Sequence, residues 1–346
     1  MKSQIWDNPF EELQKSLGSR YVFIHSGIEK SYNLPDSKFS YTDILLEKDL
    51  FTLLSWINTN DIEAVKELHN VHPEYSHRVV IDSGAFSVWN SGKEFDIDAY
   101  IDFLNDDELM DIILWAAEAD VIPGKKGITA TMEERDIAAQ QSWDNYLYMI
   151  SKVKYPKKIL PIFHMDEDFK YLEQMLEYIL PDGTHIPYIG ISPRNDVSTT
   201  LKIKWYEKIS KIIENSSNPN VLTHNFGMTS FKVMENFKSF SSDSTVCLQN
   251  SIRAKLLTDI IDGKPKFINI GERTLSYPDH YLNQSPATMS KVYDNCIDCG
   301  HDITFDKLLD TGTDTTMLLY CNICAVERWA KNFKFKGNTT SKISLW

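Results

Sequence analysis

Three aspartates in this chain stand at or near the ends of short strand-like segments, two of them apolar and the third a weaker, serine-rich one, where a buried strand would present them. Asp82 closes RVVID, Asp120 lies within ADVIPG, and Asp243 lies within FSSDS. Ser83-Gly84-Ala85 follow the first of them. These small residues let a backbone turn tightly and a flat ligand approach, and Phe86 is the first large side chain after the turn. A carboxylate and an aromatic so placed suit a site for a planar ring; the other reading of Asp82 is a cap on the helix that follows. His25, His164 and His224 end runs of the same kind. Each has a plainer reading too: His25 and His224 as satisfied structural residues, and Asp120 as a buried hydrogen-bonding carboxylate.

A second constellation lies near the end. Cys296-Ile-Asp-Cys299 and Cys321-Asn-Ile-Cys324 are separated by 21 residues. Two such CxxC pairs match a four-cysteine zinc ribbon, and four thiolates leave no coordination position open, so the implied zinc is structural. Cys247 stands apart and reads as a reduced, buried residue.

The elements that must hold these residues follow from the apolar pattern. Strands are predicted over 20–25, 78–82, 119–122, 159–164, 187–192, 221–225, 240–243 and 266–270. Helices are predicted over 48–68, 96–104, 132–153, 167–179, 201–213, 231–237 and 252–261, the third with Glu133 and Glu134 in its first turn. Eight short apolar runs separated by mostly helical segments imply βα units, and eight units make a closed (β/α)8 barrel. An open doubly wound sheet is the runner-up, but no glycine-rich phosphate fingerprint follows the first strand. A barrel puts its chemistry at the carboxyl ends of its strands, here His25, Asp82, Asp120, His164, Gly190 to Ser192, His224 and Asp243. The expected organisation is therefore a barrel domain over 1–285 and a small zinc-ribbon module with a basic tail over 286–346.

The net charge of −13 argues against a protein that coats nucleic acid non-specifically. The residues from Lys291 onward hold seven basic and seven acidic groups, so the whole imbalance falls on the first 290. After the last cysteine, Arg328, Lys331, Lys334, Lys336 and Lys342 face only Glu327. No apolar run approaches the ~20 residues that span a bilayer, and the start, MKSQIWDNPFEEL, lacks the apolar core of a signal peptide. A cytoplasmic setting with no membrane partner is expected.

The motifs resemble those of the tRNA-guanine transglycosylases, and within them the phage and bacterial branch that puts 7-deazaguanines into DNA. DSGAF at 82–86 resembles the family's DSGGF/Y motif, and ADVIPG at 119–124 the strand whose aspartate reads the purine edge. FSSDS at 240–244 resembles the motif that supplies the nucleophile, and THNFGMTS at 223–230 the glycine-rich end of the sixth strand. PIFH at 161–164 falls where the tRNA enzymes carry a base-reading Gln, and YIGIS at 188–192 where a glycine-containing turn meets the base. The similarity runs from Arg20 to Ile270, with the motifs in order. The tRNA enzymes carry CxCxxC and a distant His as zinc ligands. The CxxC pairs, SGAFSVW and His164 depart from that tRNA pattern, and the last two look more like the DNA-modifying branch.

The resemblance implies exchange of guanine in DNA for a free 7-deazaguanine base such as preQ0. It makes Asp243 the nucleophile and Asp82 the acid and base. Ser83, Phe86, Asp120, His164, Gly190, Ile191 and Ser192 would line the base pocket, with Phe86 stacking on the ring and Arg194 and Arg253 as phosphate contacts. The alternatives are the same exchange on tRNA, a barrel glycoside hydrolase using Asp82 and Asp243, and a non-catalytic nucleic-acid-binding protein whose ribbon does the binding.

Overall fold

The computed structural model describes residues 4–28, 41–57, 59–92, 94–124, 130–194, 196–310 and 315–337; the side chains of Tyr41, Thr59, Phe86 and Asp310 fall outside that description. Nine strands form one all-parallel sheet. They are β1 (Val22–Ser26), β2 (Phe51–Ser55), β3 (Val79–Asp82), β4 (Ile113–Ala117), β5 (Ile159–Leu160), β6 (Ile162–His164), β7 (Tyr188–Ser192), β8 (Leu222–Asn225) and β9 (Ser241–Ser244). Their order is β5-β4-β3-β2-β1-β9-β8-β7-β6. β5 and β6 are one run interrupted at Pro161, whose nitrogen has no hydrogen to give to a ladder. β4 pairs with the first half and β7 with the second, so the sheet closes on itself as an eight-stranded barrel.

Alternation along each strand sorts its side chains. Val80 joins Val22, Ile24, Phe51, Leu114, Ala117, Leu160, Ile162 and Tyr188 in the barrel interior, while Val79 and Ile81 join the layer beneath the helices. Strands buried on both faces read as continuous apolar runs, which is why β3 was recognisable. Phe10 and Leu13, from the helix Phe10–Leu17, belong to the same interior cluster, and Phe10 stands edge-on to Tyr188 with ring centroids 5.0 Å apart. The long helix is Met132–Lys152, started by a capping box in which Thr131 and Glu134 bond each other's backbone N–H.

Three expectations about elements are corrected. The helix expected over 48–68 contains β2, and helix begins only at Thr59 (Thr59–Val71). Leu50, Leu53, Leu54 and Ile57 mimic helical spacing because a strand buried on both faces has no apolar period of its own. The strand expected over 119–122 lies earlier, at β4, so Asp120 stands in the segment beyond a strand end. The segment 252–261 is largely β10 (Lys255–Ile261), which pairs antiparallel with β11 (Lys264–Asn269) in a hairpin separate from the barrel sheet. The barrel's eighth strand is therefore β2, and the run 266–270 is no part of it.

The cysteines depart furthest. Cys296 and Cys299 lie on the helix Pro286–Cys299, and Cys321 and Cys324 on the helix Thr315–Lys331, so the expected ribbon is two helices. CxxC puts its thiols three residues apart, a spacing that one helix face satisfies as well as a zinc knuckle does. The second helix is buried along most of its length and packs on the barrel: Tyr21 N donates to Ala330 O at 3.0 Å, at the foot of β1. Among the described residues no helix is long and apolar enough to cross a membrane.

Candidate active site

Alternation sends Ser26, Ser55, Asp82, His164, Ser192 and Asp243 to the same side as the interior cluster, at the carboxyl ends of their strands. Asp82 ends β3, and Gly84 N donates to its Oδ2 at 3.2 Å. Gly84 holds φ at 73°, a left-handed conformation, and a Cβ there would stand 3.1 Å from Ser55 Oγ. Burial, and then the charges of Asp120 and Asp243, push the Asp82 carboxyl up to about 7. Carboxylates from distant parts of the chain thus bear on Asp82 at this rim.

Asp243 is almost buried and sits among donors. Ser26 Oγ donates to its Oδ2 at 2.8 Å, Gly227 N donates to Oδ1 at 2.7 Å, and His224 Nε2 lies 3.2 Å from Oδ1. Behind it runs a chain of hydroxyls. Tyr188 OH and Ser241 Oγ are 2.5 Å apart, and Ser241 Oγ is 2.5 Å from His224 Nδ1. If Tyr188 donates to Ser241 and Ser241 to Nδ1, the proton of His224 is left on Nε2, facing Asp243. Burial lowers the His224 imidazole, which keeps it neutral for that role.

On the opposite arc His164 Nε2 is 3.4 Å from Asp120 Oδ2. Burial works against the imidazolium, yet Asp120 and Glu167 outweigh it and raise His164 to about 9. Ser83, fully buried, donates to Asp120 Oδ1 at 3.3 Å and accepts from Ala85 N at 3.2 Å, tying the Asp82 turn to Asp120. Asp82, Ser83, Asp120, His164, Ser192 and Asp243 are therefore brought together. The Phe86 side chain lies outside the described residues.

Other expected site residues are placed differently. A Cβ on Gly190 would stand 2.5 Å from Phe226 Cε2 and 3.2 Å from Ile162 Cγ1. Glycine is needed there to admit Phe226, whose ring packs against His224 at 4.5 Å and Trp115 at 5.6 Å. Ile191 faces the outer layer, and its carbonyl accepts from Phe226 N at 2.9 Å, so its oxygen serves the fold. His25 points away from the rim, since one residue of register sends a side chain to the other face. Its Nε2 is 2.9 Å from Glu327 Oε1, on the helix carrying Cys321 and Cys324. Arg194 Nε and Nη2 grip Asp196 at 2.9 and 2.5 Å while Nη1 bonds Asp166 at 2.7 Å, so two carboxylates compensate the expected phosphate contact. Arg253, just past the helix Val246–Ile252, is exposed.

Sequence reasoning missed Ser26, Gly227 and the fully buried Glu118, whose Oε1 accepts from Ile162 N at 2.7 Å. A lone glutamate in the apolar run ILWAAEAD was the available signal for the last of these.

The four clustered cysteines are all buried. Hydrogen bonds with Cys321 and Cys324 hold the Cys299 thiol well below its ordinary range, and Cys321 also lies beside Cys296. A cavity of about 10 Å³ borders Cys296, Cys299 and Cys321, enough for a single water or ion. Among the described residues no three metal-ligating side chains already surround a common point. The donor chemistry and the void fit a zinc ion; the sulfurs form a chain of neighbours that would have to close around it.

No family model and no curated protein matches the chain. Among solved structures, the crystal structure of KGPDC from Streptococcus mutans aligns with 65% of this chain and 87% of its own, at 11% identity and a TM-score of 0.34. That likeness carries no functional argument.

Proposed function

We propose that this chain is a guanine transglycosylase that exchanges guanine in DNA for a free 7-deazaguanine base, preQ0 or a close relative. The observation that carries the proposal is the placement of Asp82 and Asp243 on the interior side at the carboxyl ends of β3 and β9, with Asp120, bonded by Ser83, beside the first of them. Two carboxylates acting on one sugar carbon suit a double displacement through an oxocarbenium-like state, which retains configuration at C1′.

The Asp243 carboxylate forms a bond to C1′ as the bond from C1′ to guanine N9 breaks, and Asp82 gives its proton to the departing base. The incoming 7-deazaguanine then gives its N9 proton to Asp82 and displaces Asp243 from C1′. An Asp82 carboxyl raised to about 7 is divided between its two forms near neutrality, as a group that gives a proton and takes one back requires. Ser26, Gly227 and His224 hold Asp243 in place for attack. Asp120 would accept from N1–H and the exocyclic amine, His164 would donate toward O6, the acceptor that guanine and its 7-deaza replacement share, and Ser192 would close the far edge.

The preference for DNA over tRNA rests on the SGAFSVW and His164 features of the resemblance. A base in a duplex must first be swung out of the stack, at a cost of a few kcal/mol. Cys296, Cys299, Cys321 and Cys324 would hold a structural Zn2+. Bound there, zinc ties two helices together without an open position. A cytoplasmic location belongs to the same reading.

Labelled guanine and labelled preQ0, offered side by side to duplex DNA and to tRNA, test it. Incorporation into DNA is expected. Incorporation into tRNA alone would reject the polymer, and incorporation into neither would reject the activity.

A further inference from the structure

We propose that Glu118 is a positioning residue: its carboxyl group accepts the Ile162 N–H where the β4–β5 ladder ends, fixes the end of β4 against β6, and so holds Asp120 opposite His164. β4 and β5 run in register as far as Ala117 and Leu160, and Glu118 N still donates to Leu160 O at 3.0 Å. Pro161 then breaks the pattern, and the chain beyond Glu118 leaves the sheet. Ile162 N would be a buried orphan at this point, which costs about 1–3 kcal/mol. Glu118 Oε1 accepts from it at 2.7 Å instead.

The bond spans the place where, among the described residues, pairing passes from β4–β5 to β6–β7. Two residues beyond Glu118 stands Asp120, and two beyond Ile162 stands His164, the pair 3.4 Å apart across the same seam. Glu118 is fully buried, and its second oxygen has no partner among the described residues. Asp120, Glu167 and Tyr146 are the titratable groups around it, and burial drives it toward the neutral acid. Neutral, it acts on His164 through geometry and not through charge. His164 itself faces Asp120 and Glu167, the two carboxylates that sustain its proton.

The test is the titration of the His164 imidazole by NMR in histidine-labelled protein, beside thermal unfolding of each variant. Glu118→Gln keeps an acceptor for Ile162 N and is neutral, so His164 should titrate as in the wild type. Glu118→Ala removes the acceptor, and Glu118→Asp is too short to reach. Both should lower the His164 pKa by about one unit or more as Asp120 drifts from it. Glu118→Asp keeps the test open if Glu118→Ala does not fold. An unmoved His164 in the Ala and Asp variants would overturn the proposal, as would an equal shift in the Gln variant. Base exchange plays no part in this readout, so failure of the transglycosylase reading would leave it standing.

Discussion

Replacing Asp82 by Asn should stabilise the protein at alkaline pH while removing its activity, and the structure gives the size. The Asp82 carboxyl ionises at about 3.8 when exposed and at about 7 in the folded protein, because burial and the nearby Asp120 and Asp243 penalise its charge. Between those two values the folded chain holds a proton that the unfolded chain has released. Stability therefore falls as pH rises through that window; the penalty is absent below pH 3.8 and complete above 7. The difference between about 3.8 and about 7 is worth about 4 kcal/mol at most, and local relaxation with water entry should bring the effect down to about 2 kcal/mol. Asn keeps an acceptor for Gly84 N, so the turn bond at 3.2 Å survives. Urea unfolding of both proteins at pH 4 and pH 8 is the assay. The variant should match the wild type at pH 4 and exceed it by about 2 kcal/mol or more at pH 8. His164, raised to about 9, adds stability that is lost as pH climbs through that value, but it does so in both proteins and cancels in the difference. Equal stabilities at pH 8, or a gap that does not change with pH, would refute the placement of Asp82 among the other carboxylates.

Gly190→Ala should lower stability by about 1–3 kcal/mol, measured by thermal or urea unfolding, because its methyl group would strike Phe226 at 2.5 Å inside a packed barrel. Metal analysis of protein purified without chelator should find one zinc per chain, and none after Cys321→Ser. Chelation should lower the unfolding temperature of the wild type and leave that of the variant unchanged.

The βα pattern and most strand ends were readable because a strand buried on both faces declares itself by β-branched runs such as Val79-Val80-Ile81. The same property hid β2. Phe51 to Ser55 has no period of its own, and its leucines fell by accident on helical spacing. Lys266 to Ile270 took its place in the count, although the strand there, β11, pairs only within a hairpin. Asp82, Asp120 and His164 were visible because each stands at or beyond the end of an apolar run, whereas the serine-rich FSSDS gave Asp243 a weaker strand signal. His25 had the same signal but sits one residue out of register, so it faces Glu327 and not the rim. Ser26, Gly227 and Glu118 were not legible. Their roles depend on which backbone groups neighbouring strands leave unpaired, and no single strand's sequence records that. The cysteine spacing announced four clustered thiols correctly but not the helices that carry them, since three-residue spacing serves a helix and a knuckle alike.

The most direct test is to quench the protein during turnover on duplex DNA, digest it, and seek by mass spectrometry a peptide bearing the DNA sugar. The account predicts the adduct on Asp243, with neither adduct nor turnover in a folded Asp243→Asn variant. An adduct on Asp82 or Asp120, or undiminished exchange by Asp243→Asn, would contradict it.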